Sequence, residues 1–139
     1  MKAKIITLVL AGIFAIGNIG SCFGTKVFKN VIEDKETNTT TISFYDGSGD
    51  VVGTPLKQYQ IRYSDNNQPV EKILYTWDNK KTAWVLSEKY EYLYDAAGRP
   101  ETMMHCEWDK KANAWSPEVE YAFYLFDINK ELLSVNDLK

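Results

Sequence analysis

Apolar and polar residues alternate along most of this chain, so that Tyr59, Ile61 and Tyr63 fall on one side of the backbone, as do Ile73, Tyr75 and Trp77 in the next run. Further runs group Trp84, Leu86, Tyr90, Tyr92 and Tyr94, then Met104, Cys106 and Trp108, then Trp115, Val119, Tyr121, Phe123 and Leu125. A period of two is the mark of a half-buried β-strand, because successive side chains point to opposite faces. The intervening positions, among them Lys89, Glu91, Glu118 and Glu120, are more polar, which predicts one face packed as a core and the other largely wet. Leu74, Leu93, Met103 and Tyr124 are apolar where that face should be polar, and they are the candidate binding residues of a contact surface.

Polar turn signals separate the runs at residues 64–69, 78–81, 95–99, 109–113 and 127–130, each with Asp at or near its head. A short carboxylate there accepts hydrogen bonds from backbone amides two residues on. Upstream, residues 26–32 and 39–45 read as strands around a charged turn at 33–38, residues 46–50 are the most flexible punctuation, and a weaker run over 51–56 contains Pro55. These connections are too short for parallel crossovers, and no stretch after the leader keeps helical spacing. The prediction is an all-β antiparallel up-and-down meander of roughly seven or eight strands, either an open curved sheet or barrel-like.

The strands also repeat. Trp77-Asp78-Asn79-Lys80-Lys81-Thr82-Ala83-Trp84 returns as Trp108-Asp109-Lys110-Lys111-Ala112-Asn113-Ala114-Trp115, a step of 31 positions that Tyr59, Tyr90 and Tyr121 also obey. A fixed period of this length means one supersecondary unit used beside itself.

Residues 1–24 belong to export rather than to the fold. Lys2 and Lys4 precede an uncharged run over residues 5–19, short for a membrane span and suited to a signal-peptide core. Two endings remain open. Ile19-Gly20-Ser21-Cys22 resembles a lipobox, in which Cys22 becomes lipidated, and Cys22-Phe23-Gly24 equally suits ordinary cleavage after Gly24. Either outcome leaves Cys106 without an intrachain partner. Residues 25–139 then form a single domain, with no transmembrane span in the mature protein, located in the periplasm, on the outer membrane or outside the cell.

Composition narrows the chemistry. With 139 residues, 45% hydrophobic and 14% aromatic, the chain is too apolar for disorder. Its formal charge of −3 becomes −5 once Lys2 and Lys4 are removed, so nothing offers a nucleic acid a basic surface. His105 and Cys106 are adjacent, and in a strand adjacent side chains face apart, which argues against a nucleophile pair; Cys106 reads as core and His105 as surface. Asp46, Ser48 and Asp50 offer oxygen ligands at alternate positions, as a calcium loop does. Val51 stands at its sixth position and Lys57 at its twelfth, so a hairpin turn explains the stretch more simply than a metal. No cofactor is implied.

Lys89-Tyr90-Glu91-Tyr92-Leu93-Tyr94-Asp95-Ala96-Ala97-Gly98-Arg99-Pro100 resembles the tyrosine-aspartate repeat of Rhs-type bacterial proteins. The whole chain is similar to small exported Bacteroidetes proteins of unknown function with Tyr- and Trp-rich hairpins. The first resemblance implies β-hairpin repeats and the second implies no activity. Three functions compete: a noncatalytic exported module binding a protein or glycan partner at the cell envelope, a small hydrolase using turn carboxylates, and a structural element that self-associates through its sheet edges.

Overall fold

In a computed structural model of the protein, the residues described are 14–15, 26–126 and 132–138. Cys22, the cleavage positions and the turn at 127–130 lie outside the described residues. The strands are β1 (Phe14–Ala15), β2 (Lys26–Asp34), β3 (Thr39–Ser48), β4 (Val51–Tyr63), β5 (Pro69–Asp78), β6 (Ala83–Tyr94), β7 (Pro100–Asp109), β8 (Ala114–Trp115), β9 (Glu120–Phe126) and β10 (Leu132–Leu138). Each is antiparallel to its neighbour, in the order β1-β2-β3-β4-β5-β6-β7-β9-β10, with β8 pairing only β7. Nothing described is helical, and the two ends of the order do not pair, so the meander is an open sheet and not a barrel.

The turns at Asp34, Asp78, Asp95 and Asp109 form as the aspartates predict, while in the loop at 64–68 Ser64 Oγ accepts the Gln68 amide at 3.3 Å in the place expected of Asp65. Asp34 Oδ1 accepts the Glu36 amide at 3.0 Å, Asp78 Oδ1 accepts Lys80 at 2.9 Å and Lys81 at 3.0 Å, and Asp109 Oδ1 accepts Lys111 at 2.8 Å and Ala112 at 3.1 Å. Each of these turns closes four residues after its Asp on a left-handed residue: Asn38 (φ 53°), Thr82 (φ 50°) and Asn113 (φ 51°). At the other end of the sheet, Asn67 donates its amide to Ser64 and Gly98 donates its amide to Asp95, both at 2.9 Å, so the loops at 64–68 and 95–99 are copies one 31-residue step apart. The hairpin at 46–50 is tighter than expected. β3 runs through Ser48 and pairs with Val51, leaving Gly49-Asp50 as the turn. Pro55, with no N–H to give a ladder, sits opposite Tyr45 between two register shifts.

Following the ladders from strand to strand assigns the two faces, and they differ from the expectation of one core face and one wet one. All four tryptophans, with Phe28, Tyr45, Ile73, Tyr75, Leu86, Met104 and Cys106, lie on one face. Phe44, Tyr59, Ile61, Leu74, Tyr90, Tyr92, Met103 and His105 lie on the other. The division arises in β6, where Leu74 pairs with Glu88 but Tyr75 pairs with Leu86, leaving Ser87 as a bulge. One extra residue reverses the alternation, so Trp84 and Leu86 face away from Tyr90, Tyr92 and Tyr94. A second break separates β8 from β9 at residues 116–119, where Pro117 cannot continue the ladder, and Tyr121 falls on the tryptophan face instead of beneath Tyr90.

No second layer covers either face among the described residues. Among the residues whose side chains are described, apolar burial is confined to Phe28, Cys106 and Ala122, and no large side chain is fully enclosed. The rings that sequence pattern assigned to an interior are instead half-buried and shelter one another. Trp77 and Trp84 meet edge to face at 5.2 Å, Trp108 and Trp115 at 5.1 Å, and Phe44 and Tyr59 at 5.9 Å. Such pairs contribute about 0.5–1.5 kcal/mol beyond area burial.

Candidate functional site

Two arrangements of side chains stand out, one on each face. On the tyrosine face the ladder aligns Ile61, Lys72, Tyr90, His105 and Glu120 in one row across β4, β5, β6, β7 and β9. The His105 ring stacks on Tyr90 with centroids 4.7 Å apart, its Nε2 lies 3.2 Å from Glu88 Oε2, and its Nδ1 lies 3.2 Å from Glu120 Oε2. Tyr90 donates its hydroxyl to the same Glu88 oxygen at 2.8 Å. Burial first, and then that bond to Glu88, push the Tyr90 hydroxyl up to about 12. Lys72 Nζ sits 4.7 Å from the Tyr90 ring centre and 5.3 Å from that of Tyr59.

His105 is therefore not the wet surface residue that alternation suggested; its side chain is 18% exposed and ties three strands together. Sequence reasoning missed Glu88, Glu120 and Lys72 as its company. The signal was present only in part: Glu88 and Tyr90 share a face two residues apart, but their meeting with His105 depends on register. Beside the row, where β8 and β9 part, a cleft of about 520 Å³ opens between Glu107, Ser116, Glu118 and Glu120. Ser116 Oγ accepts the Glu118 amide at 3.1 Å, while both His105 nitrogens face carboxylates. The row ties His105 to two carboxylates on neighbouring strands and sets no Ser–His pair. Cys106, opposite Lys89 on the other face, is buried, and burial raises its thiol.

On the tryptophan face, a cleft of about 300 Å³ lies where the two Trp-Asp hairpins stand side by side, walled by Tyr75, Trp84, Leu86 and Trp108. Trp84 is held edge to face by Trp77 and by Tyr45 at 6.4 Å, and Trp108 by Trp115, whose ring lies 5.1 Å from Lys89 Nζ. The rim is polar, with Asp78 and Lys81 from one hairpin and Lys110 and Asn113 from the next. The Lys81 amide above all, with that of Lys80 and the charges of Lys81 and Lys110, holds the Asp78 carboxyl below its usual range.

The residues singled out for binding do not converge on one patch. Met103 lies between Tyr92 and Ala122 in register, with Tyr124 on the same tyrosine face, and Leu74 lies on that face between Tyr59 and Glu88. Leu93 is on the tryptophan face, 50% exposed, in a row with Thr102 and Phe123 and near exposed Tyr121 and Leu125. Asp46 Oδ1 accepts the Thr54 amide, Ser48 and Asp50 sit exposed at the hairpin, and among the described residues no group of three His, Cys, Asp or Glu side chains is placed to hold a metal ion.

The model of a family of unknown function, DUF3836, matches residues 1–124. Among solved structures, the chain is similar to a protein of unknown function from Bacteroides fragilis, with TM-score 0.55, 16% identity and 67% of each chain covered. It is also similar to a DUF3836 protein from Parabacteroides distasonis, with TM-score 0.50, 19% identity, 70% of this chain and 88% of that one. These likenesses extend to the fold. No curated protein matches the chain.

Proposed function

Taking as premise that the chain belongs to the DUF3836 family of unknown function, we propose that it is a noncatalytic exported module that binds a protein or glycan partner at the cell envelope. The observation that carries this reading is that no other described element covers the sheet: aromatic rings stand half-exposed on both faces where a folded domain ordinarily sets a second layer. Rings held in fixed orientations by edge-to-face neighbours are rigid anchors, and ordering them costs little entropy on binding. The turn aspartates Asp34, Asp78, Asp95 and Asp109, on which a hydrolase reading would lean, each spend one carboxylate oxygen on backbone amides that shape the turn. The signal-like leader supports export, with residues 25–139 as the working domain and Cys22 as the residue a lipid anchor would occupy. The loop over residues 94–99 supports the likeness to the tyrosine-aspartate repeat, since Asp95 accepts the Ala97 and Arg99 amides at 2.9 Å and pairs with the Arg99 guanidinium at 2.7 Å.

The test is affinity capture from envelope extract combined with a glycan array, using the native protein and Tyr124→Ala. A reproducible ligand in either arm supports the reading, and silence in both would end it. Mass spectrometry of the native N-terminus separates an acylated Cys22 from a free end after Gly24.

A further inference from the structure

The cleft between the tryptophan hairpins combines features that point to one class of ligand. Its walls are aromatic and fixed: Trp84 is wedged between Trp77 and Tyr45, and Trp108 lies against Trp115. Its rim offers a carboxylate at Asp78, ammonium groups at Lys81 and Lys110 and a neutral amide at Asn113, so acceptors and donors are both present and both signs of charge are represented. A wholly apolar ligand would strip water from Asp78 and Lys110 and give them nothing in return. A strongly charged ligand would meet a like charge on one side of the rim. A sugar ring fits both parts, since its C–H face lies on an indole while its hydroxyls exchange hydrogen bonds with mixed polar groups. At about 300 Å³ the space is at the small end for ligand sites, which run from ~300 to ~1,000 Å³, and suits one ring rather than a long chain.

We propose that this cleft is a subsite for a neutral saccharide ring, with Trp108 and Trp84 stacking on it and Asp78, Lys110 and Asn113 bonding its hydroxyls. The proposal rests on the binding reading above and names its ligand class. It also gives the repeat a purpose: Asp78 comes from one copy, Lys110 and Asn113 from the next, and the site exists only because the copies are adjacent.

Tryptophan fluorescence of the purified protein, titrated with a panel of neutral hexoses, N-acetylhexosamines and their short oligomers, reports directly from the walls. The expected result is a saturable emission change with at least one saccharide. Trp108→Ala should weaken that binding at least tenfold and Asn113→Gly several-fold, and Tyr90→Phe on the opposite face should leave it unchanged. Because Trp108 also packs on Trp115, Asn113→Gly is the variant that keeps the fold, its left-handed backbone being one glycine adopts freely. No saccharide binding, or binding that both cleft variants leave intact, overturns the subsite. If saccharides fail while an envelope protein is captured, the subsite falls and the binding reading stands; if both fail, both fall.

Discussion

Thr82 is in the wrong conformation for its side chain. Its φ of 50° is left-handed, a region that costs a β-branched residue about 1 kcal/mol or more, and the equivalent position one copy later holds Asn113 at φ 51°. Thr82→Asn should therefore stabilise the protein by about 1 kcal/mol, seen as a higher Tm, because Asn tolerates this backbone and the turn is otherwise unchanged. Gly47 fails in the opposite direction. A Cβ there would collide with the Phe28 ring and the Val51 carbonyl, so Gly47→Ala should cost about 1–3 kcal/mol in a denaturant titration. Tyr90 gives the pH dependence. A phenol in the unfolded chain titrates near 10, whereas Tyr90 is raised to about 12, so the fold favours its neutral form. That stabilisation is whole below pH 10 and is lost as pH rises through about 12, and Tyr75, Tyr92 and Tyr94 are shifted in the same direction. Alkaline unfolding should begin above pH 10, with Tyr90→Phe reducing its steepness when phenolate absorbance and circular dichroism are followed together.

The strands and turns were legible because their causes are local. Asp34, Asp78, Asp95 and Asp109 each fix a turn with amides two to four residues away, and alternation within a run names a strand whatever it pairs with. What alternation does not carry across is a single inserted residue. Ser87 is an ordinary serine in a run that reads Trp84, Leu86, Tyr90, Tyr92, Tyr94, and only the pairing of Leu74 with Glu88 and Tyr75 with Leu86 reveals that it turns the strand over. The candidate site was legible to the same degree: the paired Trp-Asp hairpins were visible as a repeat, while the company of His105 comes from β6 and β9 through register. Deleting Ser87 should remove the bulge and keep both faces as they are, because Leu86 and Glu88 would then be consecutive residues opposite Tyr75 and Leu74 in an unbroken ladder. The Trp77–Trp84 pair should then persist and near-ultraviolet circular dichroism should keep its tryptophan signal, whereas a second residue inserted beside Ser87, where the bulge still takes up only one, should turn Trp84 to the face of Tyr90 and abolish that signal.

A one-layer sheet distributes its stability along one dimension. Each strand from β2 to β7 packs and hydrogen-bonds with the strands before and after it in the chain, and no described element crosses from one end of the order to the other. Stability then behaves as a sum of strand terms and neighbour terms, as in other repeat proteins, rather than as one core that forms or fails together. Native-state hydrogen exchange should show the slowest amides in β4, β5 and β6, which lie farthest from either end of the strand order, with protection falling toward β2 and β10. Local perturbation provides the sharper check. Ala122→Leu, at the most buried position of β9, should raise exchange in β9 and β7 while leaving β3 and β4 near their original protection. Equal loss of protection in every strand would mean that something else couples the ends of the sheet, such as a second copy or a bound partner laid over a face; in either case the exposed rings would have a cover, and the exchange pattern would locate it.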